Sequence, residues 1–511
     1  MKAVLFTTIL ILTFNTLFAQ QPDSVQTPNI LFIMVDDLGW TDIGTGAPNL
    51  GNGSQYYETP HVDQLAAKGM SFTNAYTCGP NCAPTRASLM SGQYGPRTKM
   101  YTVNDPNRAK PEERGLNAAE NKLYLDLDLV TMAEMLKSSG YSTGHFGKWH
   151  LGGHEGGGLP DQQGFDLNIA GNNRGHSTGG YFSNEKGAYP AGPNRPQLPG
   201  LPPNGKAGEW LDDRITGEAI QFMDKSKDKP FFIYMSFFAV HTPILSPADD
   251  KAHFDGKPKT AYHKNQTYAG FVKSFDDNIG RLINYLETTN DPNRQNKKLI
   301  DNTMVIFYSD NGGVGGFERS GITVVDITNQ FPLRDGKGSM KEGGIRVPMI
   351  VRWDGQVEAN SINHTPVITV DFYPTLMKVA GAQKPTNTIL DGTDLLPLFR
   401  GQKLKDRALY WHFPAYLNAR RGEDGKLDFR TTPASVIRKG DWKLLFYYET
   451  RHWELYNLAN DIGEDHNIAD GNPKIVKKLG QDLIAWLKAI NADMPREKAT
   501  DQEVPLPVAE P

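Results

Sequence analysis

A chain of 511 residues is too long for one ordinary domain, and its 38% hydrophobic and 10% aromatic content is enough for a large core. The formal net charge of −4 lacks the basic footprint that nucleic-acid binding leaves, so no nucleic-acid partner is expected. With 51 glycines and 34 prolines, long loops are expected, and loops on a rigid scaffold are where sites usually sit.

The first segment, MKAVLFTTILILTFNTLFAQ, has one lysine, a short apolar run and Leu17-Phe18-Ala19 before polar residues. It reads as a secretory signal peptide over residues 1–19, which places the mature chain in the periplasm or outside the cell. The alternative is an uncleaved anchor, but the run is short for a spanning helix, and no stable membrane insertion is expected.

NILFIMVDD is a short apolar, β-branched run that stops at Asp36 and Asp37 and reads as a buried strand. TPHVDQLAAKGMSFTNAY follows as an N-capped helix, a Gly69 stop and a strand. The stretch TCGPNCAPTRASLMSGQYGPRT holds both cysteines, Cys78 and Cys82. In an exported chain an even pair invites a disulfide, whereas two cysteines without clustered histidines make a poor zinc site. Pro84 fits the first turn of a helix that TRASLMS continues to Gly92. Cys82 would stand at its amino terminus, where backbone N–H groups favour anions and a reactive group is better placed than a clip.

LVTMAEMLKSSGYSTGHFGKWHLG repeats the helix, Gly140 stop and strand. PFFIYMSFFAVHTP reads as a strand ending at His241, TMVIFYSDNGG as one ending at Asp310 and Asn311, and VPMIVRW as a further short strand. Strands alternating with helices predict an α/β fold, a large mostly parallel sheet sandwiched by helices, whose ligands bind beyond the carboxyl ends of the strands. Polar residues recur at those ends: Asp36, Asp37, Lys148, His150, His241, Asp310 and Asn311. His145 lacks such company and reads as a surface residue. From about residue 386 the chain turns to short aromatic-rich strands and one helix, IVKKLGQDLIAWLKAI. The expected layout is a catalytic domain over 28–385, a smaller α+β subdomain on a short antiparallel sheet over 386–492, and a frayed proline-rich tail over 493–511.

Asp36, Asp37, Asp310 and Asn311 form an all-oxygen ligand set suited to calcium or magnesium. With Arg86, Lys148 and Lys341 beside them, they offer a metal-plus-cation arrangement for a multiply charged oxyanion.

Cys82-Ala83-Pro84-Thr85-Arg86, followed by SLMSG, resembles the C-x-P-x-R signature of the type I sulfatases, members of the alkaline phosphatase superfamily. VDDLGW, GKWHLG, HTP, SDNGG and GKGSMKEGG resemble further family motifs in the family's order, across nearly the whole mature chain. Thr85 departs from the serine that many relatives carry. The resemblance implies an alkaline-phosphatase-like fold and hydrolysis of sulfate monoesters; export, a bacterial-looking signal and a loop-rich chain fit a sulfated polysaccharide or its oligosaccharides as the substrate. It implies that a formylglycine-generating or anaerobic maturation enzyme oxidises Cys82 to formylglycine, whose hydrate attacks sulfur. It also implies one calcium ion per chain, magnesium being the weaker candidate, held by Asp36, Asp37, Asp310, Asn311 and residue 82. Arg86 would hold the formylglycine hydroxyl. Lys148 and His150 would contact diol and sulfate oxygens, with His150 as the base of the elimination step. His241 would protonate the leaving alcohol as a cationic acid, and Lys341 would pair with a sulfate oxygen.

Residues 170–182, with Arg174 and His176, and 411–429 are candidate substrate loops. A phosphonate or phosphodiester hydrolase and a non-catalytic sulfated-glycan-binding protein are the alternatives. A monomer or dimer is expected.

Overall fold

A computed structural model of the chain describes residues 27–153, 156–177, 179–189, 198–201, 205–315, 327–421 and 427–509. The expected signal peptide lies outside them. Among the described residues no helix is long and apolar enough to cross a membrane.

Nine strands form the main sheet, in the order Val367–Ile368, Met70–Tyr76, Arg346–Trp353, Thr303–Ser309, Asn29–Val35, Phe231–Ser236, Ser142–Gly147 and Leu167–Ile169, with Ser361–Asn363 also paired to Met70–Tyr76. Only Arg346–Trp353 runs against its neighbours. The alternation of side chains along a strand divides the core in two. In Asn29–Val35, Leu31, Ile33 and Val35 enter one cluster and Ile30, Phe32 and Met34 the other. The first cluster is roofed by helices Pro60–Ala67, Leu211–Ser226 and Gln266–Thr288. The second is roofed by Cys82–Ser91, Met132–Ser138 and Phe372–Val379. Each such fully buried aliphatic or aromatic side chain stabilises the fold by about 1.5–3 kcal/mol, which accounts for the unbroken apolar run from Ile30 to Val35.

A four-stranded antiparallel sheet follows, ordered Ala408–Phe413, Ala434–Lys439, Trp442–Tyr447 and His452–Asn457. Helix Pro473–Ala489 lays Val476, Leu479, Leu483 and Leu487 on one face of it. The opposite face, through Trp411, Val436 and Leu445, packs on Tyr76, Ile345 and Ile368 of the larger unit.

Three local expectations are corrected. The strand before His241 stops at Ser236, and residues 237–241 turn over the sheet edge instead. Thr59 makes no side-chain cap to helix Pro60–Ala67; its hydroxyl takes the amide of Gly44, and the carboxylate of Asp276 accepts the amides of His61 and Val62 from across the fold. The tail is not frayed: Arg496–Glu497 pairs with Leu116–Asn117, Val504 is buried, and the carbonyl of Val508 accepts the indole N–H of Trp453 at 3.0 Å.

Candidate active site

Strands Thr303–Ser309, Asn29–Val35, Phe231–Ser236 and Ser142–Gly147 are consecutive and mutually parallel, so their carboxyl ends open on one edge. The residues that follow them are Asp310 and Asn311, Asp36 and Asp37, the turn to His241, and Lys148. Cys82 begins helix Cys82–Ser91, entirely buried and closed by Gly92 in the left-handed conformation (φ 68°). The helix therefore aims its first turn at the same edge. Asp37 (φ 64°) and His150 (φ 65°) also hold left-handed backbones, a strained choice that concentrates at functional sites.

Arg86 donates from Nε and Nη2 to Oδ2 of Asp310 (2.9 and 2.7 Å) and from Nη1 to the carbonyl of Lys148 (3.0 Å), all fully buried. It thus ties the nucleophile helix to two strand ends. Lys148 Nζ lies 2.6 Å from Oδ2 of Asp36, and Cys82 Sγ 3.6 Å from Oδ1 of the same residue. Burial and then the charge of Asp310 push the Asp36 carboxyl well above its ordinary range, with Lys148 only partly opposing them. Asp37 and Asp310 go the other way: burial raises both, but the cations together outweigh it, Lys337 with His241 and Lys148 for Asp37 and Arg86 with Lys148 and Lys337 for Asp310. Burial pushes the Cys82 thiol up to about 12.

The lysine of GKGSMKEGG that reaches this site is Lys337, not Lys341. Lys337 Nζ is 2.5 Å from Oδ1 of Asp37 and 3.4 Å from Sγ of Cys82. Lys341 caps the next short helix and turns to the smaller sheet, where its ammonium pairs with Glu454 and donates to the Tyr456 hydroxyl at 3.0 Å. The acceptors decide: the four-residue offset carries Lys341 onto an acidic, aromatic strand, while Gly336 and Gly338 let the backbone turn Lys337 inward. Gly338 sits at φ +93° with its amide on the carbonyl of Pro80, two residues before Cys82. Only this flanking pair of glycines signalled Lys337 in the sequence.

A pocket of about 390 Å3 lies over Cys82, walled by His150, His241 and Lys337 and rimmed by Arg174, His176, Asn104 and Tyr124. The first candidate loop therefore does reach the site. The second does not form a loop: 411–413 end a strand, Leu417–Arg421 and Leu427–Thr431 pair as a hairpin, and its tip, 422–426, lies outside the described residues. Lys148 stands beneath the pocket against Asp36 rather than in its wall. Gly175 is pressed on the imidazole of His150, where a Cβ would stand 2.3 Å from the ring. His145 is buried rather than exposed, with Nε2 3.3 Å from the carbonyl of Lys148. Nε2 of His241 is 3.8 Å from Asp37. Burial, then the positive charge of Lys337, bring His241 down to about 3, and burial with Lys148 depresses His150 as well. Both shifts favour the neutral ring, against the cationic acid expected at His241.

The residues fit a hard cation. Asp36, Asp37, Cys82 and His241 each present a donor atom within 4.8 Å of the others. Asn311 spends Nδ2 on Asp37 (2.8 Å) and on the Gly312 carbonyl (2.9 Å), which leaves Oδ1 buried and, among the described residues, without a partner. Crowded carboxylates beside an orphaned amide oxygen are what a calcium ion would relieve. Both cysteines are free thiols, so the disulfide alternative is not formed.

Mostly parallel strands between helices, with acid, amide and cationic side chains gathered at their carboxyl edge around one helix terminus, make this an alkaline-phosphatase-like hydrolase. The sulfatase family profile matches residues 28–382, and that of the N-sulphoglucosamine sulphohydrolase C-terminal region matches 335–491. A sulfatase of Formosa agariphila is 36% identical, covering 95% of this chain and 93% of that protein. The human N-acetylgalactosamine-6-sulfatase is 30% identical over 87% of this chain and 76% of its own length. The solved structure of Ps i-CgsB in complex with k-i-k-neocarrahexaose is 31% identical with a TM-score of 0.68, covering 90% of this chain and 93% of that one. The chain belongs to the sulfatase family and is a sulfuric ester hydrolase.

Proposed function

We propose that the chain is an exported sulfatase that removes sulfate esters from a sulfated polysaccharide or its oligosaccharides, using formylglycine at position 82 and one calcium ion. The observation that carries this reading is Cys82 at a buried helix terminus, between Asp36 and Lys337 and open to the pocket. A thiol held near 12 is a poor nucleophile at neutral pH, and this favours conversion of the side chain by a maturation enzyme. Formylglycine supplies a hydrated aldehyde as the attacking group and calcium the charge that acidifies its hydroxyl.

The chain's own residues do the rest. Asp36, Asp37, Asp310 and Asn311 would hold the cation, with Arg86 anchoring Asp310 in place. Lys337, at the pocket face of Asp37, attracts a sulfate oxygen. His241, neutral in the free pocket, takes up a proton when the anionic sulfate ester enters and delivers it to the leaving alcohol oxygen. His150, whose buried Nδ1 has no hydrogen-bond partner among the described residues, is the base that accepts a proton later in the cycle. Arg174 and His176 at the rim contact the sugar. Support for a glycan substrate comes from the relatives, one an N-acetylgalactosamine-6-sulfatase and another bound to a carrageenan-type hexasaccharide. The apolar leader over residues 1–19 supports export.

The test is mass analysis of the residue-82 peptide after production with a maturation enzyme, joined to parallel assays on sulfated saccharides and an aryl phosphodiester. Conversion appears as a loss of about 18 Da relative to cysteine. Full activity in protein that retains the thiol would reject the mechanism, and a preference for the phosphodiester would reject the substrate class.

A further inference from the structure

A second cavity, about 540 Å3, opens on the smaller sheet. It lies where the turn between Ala434–Lys439 and Trp442–Tyr447 meets the first turns of helix Pro473–Ala489 and the segment 404–407. It shares no lining residue with the pocket over Cys82. Its floor is apolar, made by Leu404, Ile475 and Leu479 with the half-buried indole of Trp442. Its rim is cationic. Lys405, Lys474 and Lys478 are exposed, and among the described residues none of them has an ion-pair partner. Lys474 and Lys478 stand one helical turn apart and face the same way. Lys439 and Arg407 also line the groove but are held by Asp482 (2.8 Å) and Asp371. Among the described residues Asp406 is the one acidic residue of the lining. In a chain with an excess of acidic residues, this grouping of unpaired lysines around an apolar trough stands apart from the average surface.

We propose that this groove is a non-catalytic binding site for a stretch of sulfated oligosaccharide. The aromatic and aliphatic floor suits the C–H face of a pyranose ring. The lysines, strongly hydrated point charges on flexible stems, suit sulfates spaced along a sugar chain. A polymer held there is kept at high local concentration for the catalytic pocket. The substrate part of this inference rests on the glycan reading given above; the binding part does not.

The test uses the full-length chain with Cys82→Ala, which binds without turnover. It is titrated calorimetrically with sulfated hexasaccharides of the carrageenan, chondroitin sulfate and heparin types and with their desulfated counterparts. A saturable, salt-sensitive site is expected for at least one sulfated sugar and for no desulfated one. Adding Lys474→Ser and Lys478→Ser weakens it roughly threefold to tenfold, the loss expected of two exposed ionic contacts. In the matured enzyme the same two substitutions raise KM on the sulfated polymer and leave nitrophenyl sulfate unchanged. Binding to none of the sugars, indifference to the two substitutions, or equal binding of a desulfated sugar, polyglutamate or phosphatidylserine vesicles overturns the groove proposal. If the groove binds but the matured enzyme hydrolyses no sulfated glycan, the substrate reading falls and the groove stands.

Discussion

The ammonium of Lys337 lies 2.5 Å from Oδ1 of Asp37, whereas that of Lys341, four residues further along the same glycine-rich segment, is bound to Glu454 in the smaller sheet. The two lysines therefore answer to different measurements. Lys337→Ala should lower kcat/KM on sulfate esters by about 100-fold or more, in the range found when a charge-stabilising donor is lost, with a small change in unfolding midpoint. Lys341→Ala should instead destabilise by about 1–3 kcal/mol, the loss of a charged hydrogen bond with little solvent around it, and leave kcat/KM within a few-fold. The reverse pattern in paired kinetics and urea unfolding would return the sulfate-binding role to Lys341.

Calcium should stabilise the protein by mass action, by about 2.7 kcal/mol at a free concentration one hundred times Kd. Exhaustive chelation should remove both that shift and the activity. In the Asp36→Asn variant calcium should no longer move the melting temperature, because one of the crowded carboxylates has gone. Unchanged melting of the wild-type protein on chelation, with no divalent ion by elemental analysis, would refute the ligand set of Asp36, Asp37, Asp310 and Asn311.

His241 should matter in proportion to the basicity of the leaving oxygen. His241→Ala should cost about 100-fold in rate on a sulfated sugar, whose alcohol departs poorly, and far less on nitrophenyl sulfate. Because burial and Lys337 keep the free imidazole near 3, kcat/KM should show no inflection at the ordinary histidine value that disappears with this substitution. Equal slowing of both substrates would remove His241 from proton donation.

Asp276 offers a test of stability against pH. Its buried carboxyl, held by the amides of His61 and Val62, is pushed up to about 7, by burial first and then by Asp277 and Asp63, while those two amides pull it down. A folded value above the unfolded one of about 3.9 stabilises fully below the latter and is lost as pH rises through the former. Between pH 5 and 8 the unfolding free energy of the wild type should therefore fall relative to that of Asp276→Asn. A difference that moves toward the wild type over that range would contradict the assignment.

The fold was legible because period and punctuation agree. The run NILFIMV has no polar interior, and burial on both faces is the only way to accommodate it in water. Pro84 and Gly92 bound the Cys82 helix, and Thr131 with Glu134 caps helix Met132–Ser138, by local chemistry alone. The acidic and amide pairs were legible for a related reason: in a parallel sheet the residue after a strand sits at the binding edge whatever the rest of the chain does.

What the linear order did not carry was the choice between near neighbours with the same side chain, or between a local and a distant partner. Lys337 and Lys341 are chemically identical and four residues apart; Asp37 and Glu454, far away in the sequence, sort them. Thr59 looks like a cap, yet Asp276 takes that role from 217 residues beyond Thr59's place in the chain, because the amides it reaches are buried against helix Gln266–Thr288. His145 carries no local mark of burial and is enclosed only once Trp149, Phe165 and Tyr234 close around it. Residue types, strand ends and helix termini were thus determined by the sequence itself through local sterics and hydrophobic period. Which cation faces which carboxylate was decided by tertiary structure, because a charge in a low-dielectric interior goes to whichever partner the packing brings within reach.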